Sequence, residues 1–119
     1  ERYNHKRAAY LLKIKKENNY NVIRKDSTNL ADIWKTLVKN SAEINSLGYV
    51  WMAAGETDKA MLAFQLNAML FPKEASVYDS LGEINLKLNN KEAAKKYYNK
   101  VIGLQPGNEN AEQMLRRLN

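Results

Sequence analysis

The chain carries the same punctuation twice, 34 residues apart, and this spacing restricts its folds more than any other feature. With residues 41–74 laid over residues 75–108 without a gap, Ile44 falls on Tyr78, Leu47 on Leu81 and Gly48 on Gly82. Further on, Ala60 falls on Ala94, Phe64 on Tyr98, Leu70 on Leu104 and Pro72 on Pro106. Seven pairs in one register, with no insertion, mark a tandem structural unit rather than an ordinary helical bundle. Such a unit cannot bury its apolar face alone, and stacking copies makes one continuous core.

Each unit reads as two antiparallel helices, A and B. The pattern predicts helix A over 41–54 and helix B over 58–71 in the first unit, then 74–89 and 91–103 in the second. Gly55 closes the first A helix, because glycine enters the left-handed cap without a Cβ clash. Thr57 is the expected N-cap of the first B helix, and Asn90 the turn residue or N-cap of the second. Gly48 and Gly82 lie mid-helix, where glycine costs up to about 1 kcal/mol against alanine. A cost incurred twice in register predicts close approach of helix B, with Ala60 and Ala94 as the facing small surface. Phe64 and Tyr98, four residues on, share that face and fill the space beyond. Pro72 and Pro106 stop the B helices and turn the chain.

The period and these landmarks resemble the tetratricopeptide repeat (TPR). The resemblance implies an all-α, right-handed α-solenoid of two TPR hairpins with flanking N- and C-terminal capping helices. It divides the chain into a basic leader and packing helix (1–40), repeat one (41–74), repeat two (75–108) and a C-terminal capping helix (109–119). One position departs from the pattern. The alanine usual three residues after the B-helix aromatic is Asn67 in repeat one and Val101 in repeat two, and Asn67 is expected near the surface.

Outside the repeats, residues 1–19 read as a basic helix and residues 18–29 as a loop rich in turn formers. A second helix follows to about residue 39, with Leu30, Ile33, Trp34, Leu37 and Val38 as its apolar stripe. It is expected to cap the first repeat, with Trp34 in its core. After Pro106, Asn108 is the expected N-cap of a last helix over 109–118. Ala111, Met114, Leu115 and Leu118 form its apolar stripe. Residues 1–40 hold ten Lys and Arg against four Asp and Glu, whereas residues 41–119 hold nine of each. The whole +6 net charge therefore sits in the leader. Its charge run reads as a solvated face, which argues against nucleic acid or membrane as the partner. There is no cysteine, so disulfides and zinc–thiolate sites are excluded. The first residues, Glu1-Arg2-Tyr3-Asn4, are not a signal peptide, and the missing initiator methionine is read as the mark of a piece or a processed product.

No catalytic constellation emerges. His5 is the only histidine, and no phosphate-cradling Gly-x-x-x-x-Gly-Lys-Ser/Thr loop is present. Asp79 and Glu83, one helical turn apart, have the chemistry of a general acid and base, but such pairs ordinarily lie on a solvated helix face. The chain is therefore read as non-enzymatic, with no cofactor and no metal. In a TPR array the A helices line the concave surface. The register places Ala42, Asn45, Tyr49 and Met52 there from repeat one, and Ser76, Asp79, Glu83 and Lys87 from repeat two. Of these, Asn45, Tyr49, Met52, Asp79, Glu83 and Lys87 are the expected partner-binding residues. The TPR clamp for the C-terminal carboxylate of heat-shock chaperones uses Lys, Arg and Asn at such positions. Asp79 and Glu83 stand where that clamp needs cations, so no carboxylate-clamp binding is expected. The expected partner is a protein or peptide carrying Lys or Arg, or a neighbouring domain of the same chain. Open repeat edges also allow a homodimer.

Particular words carry a narrower resemblance. Ile44-Asn45-Ser46-Leu47-Gly48-Tyr49, Phe64-Gln65-Leu66-Asn67, Val77-Tyr78-Asp79-Ser80-Leu81-Gly82-Glu83 and Asn110-Ala111-Glu112-Gln113-Met114-Leu115 together resemble the repeat tail of some bacterial serine hydrolases. These are β-lactamase-like enzymes and α/β-hydrolase esterases, and the likeness covers about residues 41–118. Their Ser-x-x-Lys and Gly-x-Ser-x-Gly motifs are absent here. The resemblance thus implies a C-terminal accessory domain, with the leader as connector. It favours an exported or periplasmic location without excluding the cytoplasm. The alternative expectation is a stand-alone adaptor whose basic leader meets an anionic partner.

Overall fold

The computed structural model describes residues 40–119, which form five α-helices in sequence. They are α1 (Ser41–Ala53), α2 (Thr57–Leu70), α3 (Ala75–Lys87), α4 (Lys91–Leu104) and α5 (Glu109–Leu118). The expected leader helix, the loop after it and the Trp34 capping helix lie outside the described residues. α1 and α2 form one antiparallel hairpin and α3 and α4 a second; α2 and α1 both meet α3, and α5 packs on α4. The architecture is an all-α stack of helical hairpins. No described helix is long and apolar enough to cross a membrane.

Both hairpin turns are built by the same backbone bonds. In the first, Glu56 N–H donates to Trp51 O at 2.8 Å and Gly55 N–H to Met52 O at 3.1 Å. In the second, Asn90 N–H donates to Asn85 O at 2.7 Å and Asn89 N–H to Leu86 O at 2.9 Å. This is the Schellman closure, and it requires a left-handed residue just past each A helix. Gly55 takes that place at φ 80° and Asn89 at φ 61°. Asparagine tolerates the conformation that most side chains resist. The left-handed turn residue is thus Asn89, and Asn90 takes the other role expected of it, the N-cap position of α4.

Of the two expected B-helix caps, Asn90 takes the N-cap position of α4, whereas Thr57 does not take that of α2. Thr57 is the first helical residue rather than the cap, and neither α2 nor α4 has a side-chain cap bond. The cap positions, Glu56 and Asn90, have ψ of 64° and 76°, dictated by the tight turn. That backbone falls short of the extended conformation from which a side chain reaches back to the helix. Asn108 is extended (ψ 110°), and its Oδ1 accepts from Ala111 N–H at 2.9 Å, as expected. The proline turns are equally repetitive. Phe71 N–H donates to Asn67 O and Gln105 N–H to Val101 O, which ends each B helix just before Pro72 and Pro106.

The core is set by rings lying on glycines. A Cβ added to Gly48 would fall within 2.8 Å of three Phe64 ring atoms, and one on Gly82 within 3.0 Å of three Tyr98 ring atoms. The glycines are therefore notches for the aromatic rings themselves. Ala60 and Ala94, one turn before those rings, are fully buried. Leu81 is buried between the hairpins, whereas Leu47 is only partly so.

Asn67 corrects an expectation. It is not near the surface but fully buried. Its Nδ2 donates to Ser41 O at 3.0 Å, while its Oδ1 has no partner among the described residues. Ser41 Oγ in turn donates to Glu74 Oε1 at 2.7 Å. The start of α1 is thereby tied to the end of α2 and to the residue that precedes α3. A single amide does what apolar packing does at Val101.

These contacts predict opposite outcomes for two Gly→Ala changes. Gly82→Ala gains up to about 1 kcal/mol of helix propensity but overpacks the Tyr98 ring, at about 1–3 kcal/mol, so the net effect is destabilising. Gly103, in α4, has open space around the position that a Cβ would take, with no atom within 4 Å. Gly103→Ala is expected to stabilise by up to about 1 kcal/mol. Urea unfolding midpoints of the two variants should move in opposite directions.

Candidate functional site

Helices α1 and α3 lie side by side, joined by a polar seam. Ser80 Oγ donates to Asn45 Oδ1 at 2.5 Å, and Tyr49 Oη lies 3.3 Å from Ser80 Oγ. Ser80 thus links Tyr49 to Asn45, and the Glu83 carboxylate is a further hydrogen-bond partner of the Tyr49 hydroxyl. Lower on the seam, Lys87 Nζ donates to Met52 O at 3.4 Å. On the other side Asn110, in α5, donates from Nδ2 to Asp79 Oδ1 at 2.8 Å. The seam therefore runs α1–α3–α5.

All six residues expected from the register to face a partner lie on these two A helices. Asn45, Tyr49, Met52 and Asp79 are partly buried, while Glu83 and Lys87 are exposed. Ala42 and Ser76 are exposed on the same helices. The bonds above draw Asn45 and Tyr49 together through Ser80, and Met52 and Lys87 together directly. Asp79 is drawn toward α5 instead. Beside it, an open pocket of about 220 Å³ is lined by Ser76, Asp79, Val101, Gln105, Asn108 and Asn110.

The register does not reveal three participants. Ser80 is one position past Asp79 and reads as a core-side serine, yet it is the hinge of the relay. Asn110 comes from the capping helix, to which the register gives no groove role. Tyr98 reads from the sequence as a packing landmark. Its side chain is 2 % exposed, and its hydroxyl-bearing end lies over Gly82, between Asp79 and Glu83 in sequence. It differs from Phe64, at the same place in the preceding hairpin, by its hydroxyl.

The seam is biased toward negative charge. Burial pushes the Tyr49 phenol up to about 12, and the carboxylates of Glu83 and Asp79 add to this against the lowering by Ser80. Burial likewise raises the Tyr98 phenol, and Asp79 and Glu83 again favour its protonated form. Both phenols are therefore neutral at physiological pH. Burial raises the Asp79 carboxyl above its usual range; its bond from Asn110 opposes the shift and the nearby Glu83 charge reinforces it. Among the described residues, no group of three His, Asp or Glu is placed to hold a metal.

A stack of helical hairpins with a polar seam across its A helices is the architecture of a helical repeat. Residues 75–108 match the family model of the tetratricopeptide repeat. With that match, the architecture is a TPR-like helical-repeat solenoid. Repeats of this family are generally non-catalytic modules for protein–protein interaction. No curated protein matches the chain.

The raised Asp79 carboxyl gives a signed prediction. A carboxyl whose folded pKa exceeds its unfolded value favours folding at low pH, and that contribution is lost as pH rises through the folded pKa. Asp79→Asn keeps an oxygen to accept from Asn110 and removes the charge. It should stabilise the fold at pH 7, and the gain should vanish below the ordinary carboxylate range. Paired urea titrations at pH 7 and pH 3 measure this.

Proposed function

We propose that this chain is a protein-interaction module that holds a partner segment carrying Lys or Arg along the α1–α3 face. The observation that carries the reading is the pair Asp79 and Glu83 beside two neutral phenols. Asp79 is partly buried and its carboxyl is raised in pKa, so its ionised form weakens the fold at neutral pH rather than supporting it. Groups retained against stability are characteristic of binding sites. A cation placed there would neutralise the repulsion. The same charges disfavour a C-terminal carboxylate, so a chaperone-type carboxylate clamp is not the mode.

The word-level likeness to hydrolase tails supports, within this reading, an accessory role beside a catalytic domain of a bacterial serine hydrolase. The partner segment would then belong to the same chain. The alternative, an adaptor using the basic leader, draws on residues outside the described ones. Both readings share the A-helix face.

Fluorescence anisotropy with the full chain tests the proposal. The probes are labelled, C-terminally amidated peptides with Lys and Arg, and the same peptides with these replaced by Ala. Only the cationic peptides should bind, and a free C-terminal acid should not improve them. The double variant Asp79→Asn/Glu83→Gln should lose about tenfold or more, since hydrogen bonds to charged groups contribute about 1.5–3 kcal/mol. Equal binding by the double variant would sink the assignment of this face.

A further inference from the structure

We infer that Tyr98, a B-helix residue beneath the A-helix face, is a direct recognition residue whose hydroxyl reads the cationic side chain of a bound peptide. The inference rests on the partner reading above and adds to it a residue, an atom and a ligand group. It begins from a hydroxyl at the end of a buried ring. The Tyr98 side chain is 2 % exposed, yet its hydroxyl bonds to no other group among the described residues. Nor is that oxygen sealed from solvent: among the described residues, the one fully enclosed side-chain polar atom without a partner is Asn67 Oδ1. The Tyr98 oxygen therefore keeps a narrow contact with solvent, and an unpaired polar atom on a buried ring calls for a reason.

Packing does not supply that reason. Phe64 occupies the same register in the preceding hairpin and covers Gly48 as Tyr98 covers Gly82. A phenyl ring is sufficient for the notch, so the hydroxyl is surplus to the fold. The other phenol of the cluster is already engaged: Tyr49 Oη is within hydrogen-bond reach of Ser80 Oγ. Tyr98 Cζ, which bears the hydroxyl, would lie 2.7 Å from a Cβ on Gly82. The hydroxyl end of the ring therefore lies against α3 at Gly82, next to Glu83 and about one turn from Asp79, and both carboxylates act on it electrostatically.

A phenol between two carboxylates suits one kind of ligand group. It must bring several N–H donors and positive charge together. An ammonium or guanidinium does so, donating to the carboxylates and to the phenol oxygen at once. An anion would face both carboxylates, and an apolar side chain would leave the hydroxyl unsatisfied. The group is assigned to a Lys or Arg side chain of a peptide, because the polar seam over α1, α3 and α5 carries the amide side chains of Asn45 and Asn110, each with further hydrogen-bonding capacity for a peptide backbone.

The test is a ¹H–¹⁵N and aromatic ¹H–¹³C NMR titration of the full chain. The probes are N-acetyl-argininamide, N-acetyl-lysinamide and the neutral isostere N-acetyl-citrullinamide. The cationic probes should shift Tyr98 ring ε resonances and the Gly82 and Glu83 amides saturably, and citrulline should not. Tyr98→Phe, for which Phe64 is the internal precedent, should keep its unfolding midpoint and weaken the cationic probes by about threefold to tenfold. Equal affinity of Tyr98→Phe and wild type, or ring resonances that stay still while the Glu83 amide moves, would overturn the role of Tyr98 and leave the face as the binding site. No saturable shift with either cationic probe would overturn both. The ring resonances are read in the wild type, so the outcome does not depend on the variant folding.

Discussion

The aromatic ring seated on a glycine is the contact on which the rest of the structure depends. Phe64 on Gly48 and Tyr98 on Gly82 set how closely each B helix approaches its A helix. Once that distance is fixed, the short turns can close by backbone bonds alone, and Ala60 and Ala94 become the only sizes that fit below. Tyr49 then packs edge-on to Phe64, with ring centroids 5.1 Å apart. That places its hydroxyl at Ser80, and so the polar seam follows from the apolar notch. A larger residue at either glycine would separate the helices and pull the seam apart.

The division of labour between the two faces is equally physical. On the B-helix side, Tyr78 stacks on Tyr97 with Lys100 over its ring, and its hydroxyl donates to Pro72 O at 2.7 Å. The Tyr78 side chain is thus spent on structure from ring to hydroxyl. On the A-helix side, polar groups cluster without full mutual satisfaction, and like charges sit together. Stability alone selects against such an arrangement, since like charges one helical turn apart are unfavourable.

Much of this is legible in the sequence, because it is written twice. A 34-residue repeat gives the helix count, the glycine notches and the A-helix face without any three-dimensional information. Residues 1–40 have no such internal copy to be read against. The failures fall where the copies differ. Asn67 stands opposite Val101, and its burial cannot be foreseen, because an amide in the core is intelligible only once its bond to Ser41 O is seen. Asn89 stands opposite Gly55, and its left-handed backbone is hidden by the commoner role of asparagine as a cap. Thr57 misleads for another reason, and Asn90 holds its cap position without a side-chain bond: side-chain capping needs an extended backbone that these turns do not have.

The last helix shows where packing breaks the repeat grammar. In the 34-residue register α5 follows α3, with Ala111 on Val77, Leu115 on Leu81 and Leu118 on Ile84. Ala111 is fully buried, so α5 does dock as an A helix would. The residue at the notch, however, is Arg116, where α1 and α3 have Gly48 and Gly82. A long, exposed, charged side chain there cannot seat a ring, so no B helix of the α2 or α4 kind can pack on α5 in the same way. Arg117 likewise replaces the acid of Glu83, and Asn110 gives its amide hydrogens to Asp79 rather than to a further helix. The negative seam is thus confined between α1 and α5. Among the described helices the acidic pair thus occurs once, on α3, with Asn45 and Tyr49 at the same register positions before it and Gln113 and Arg117 after it.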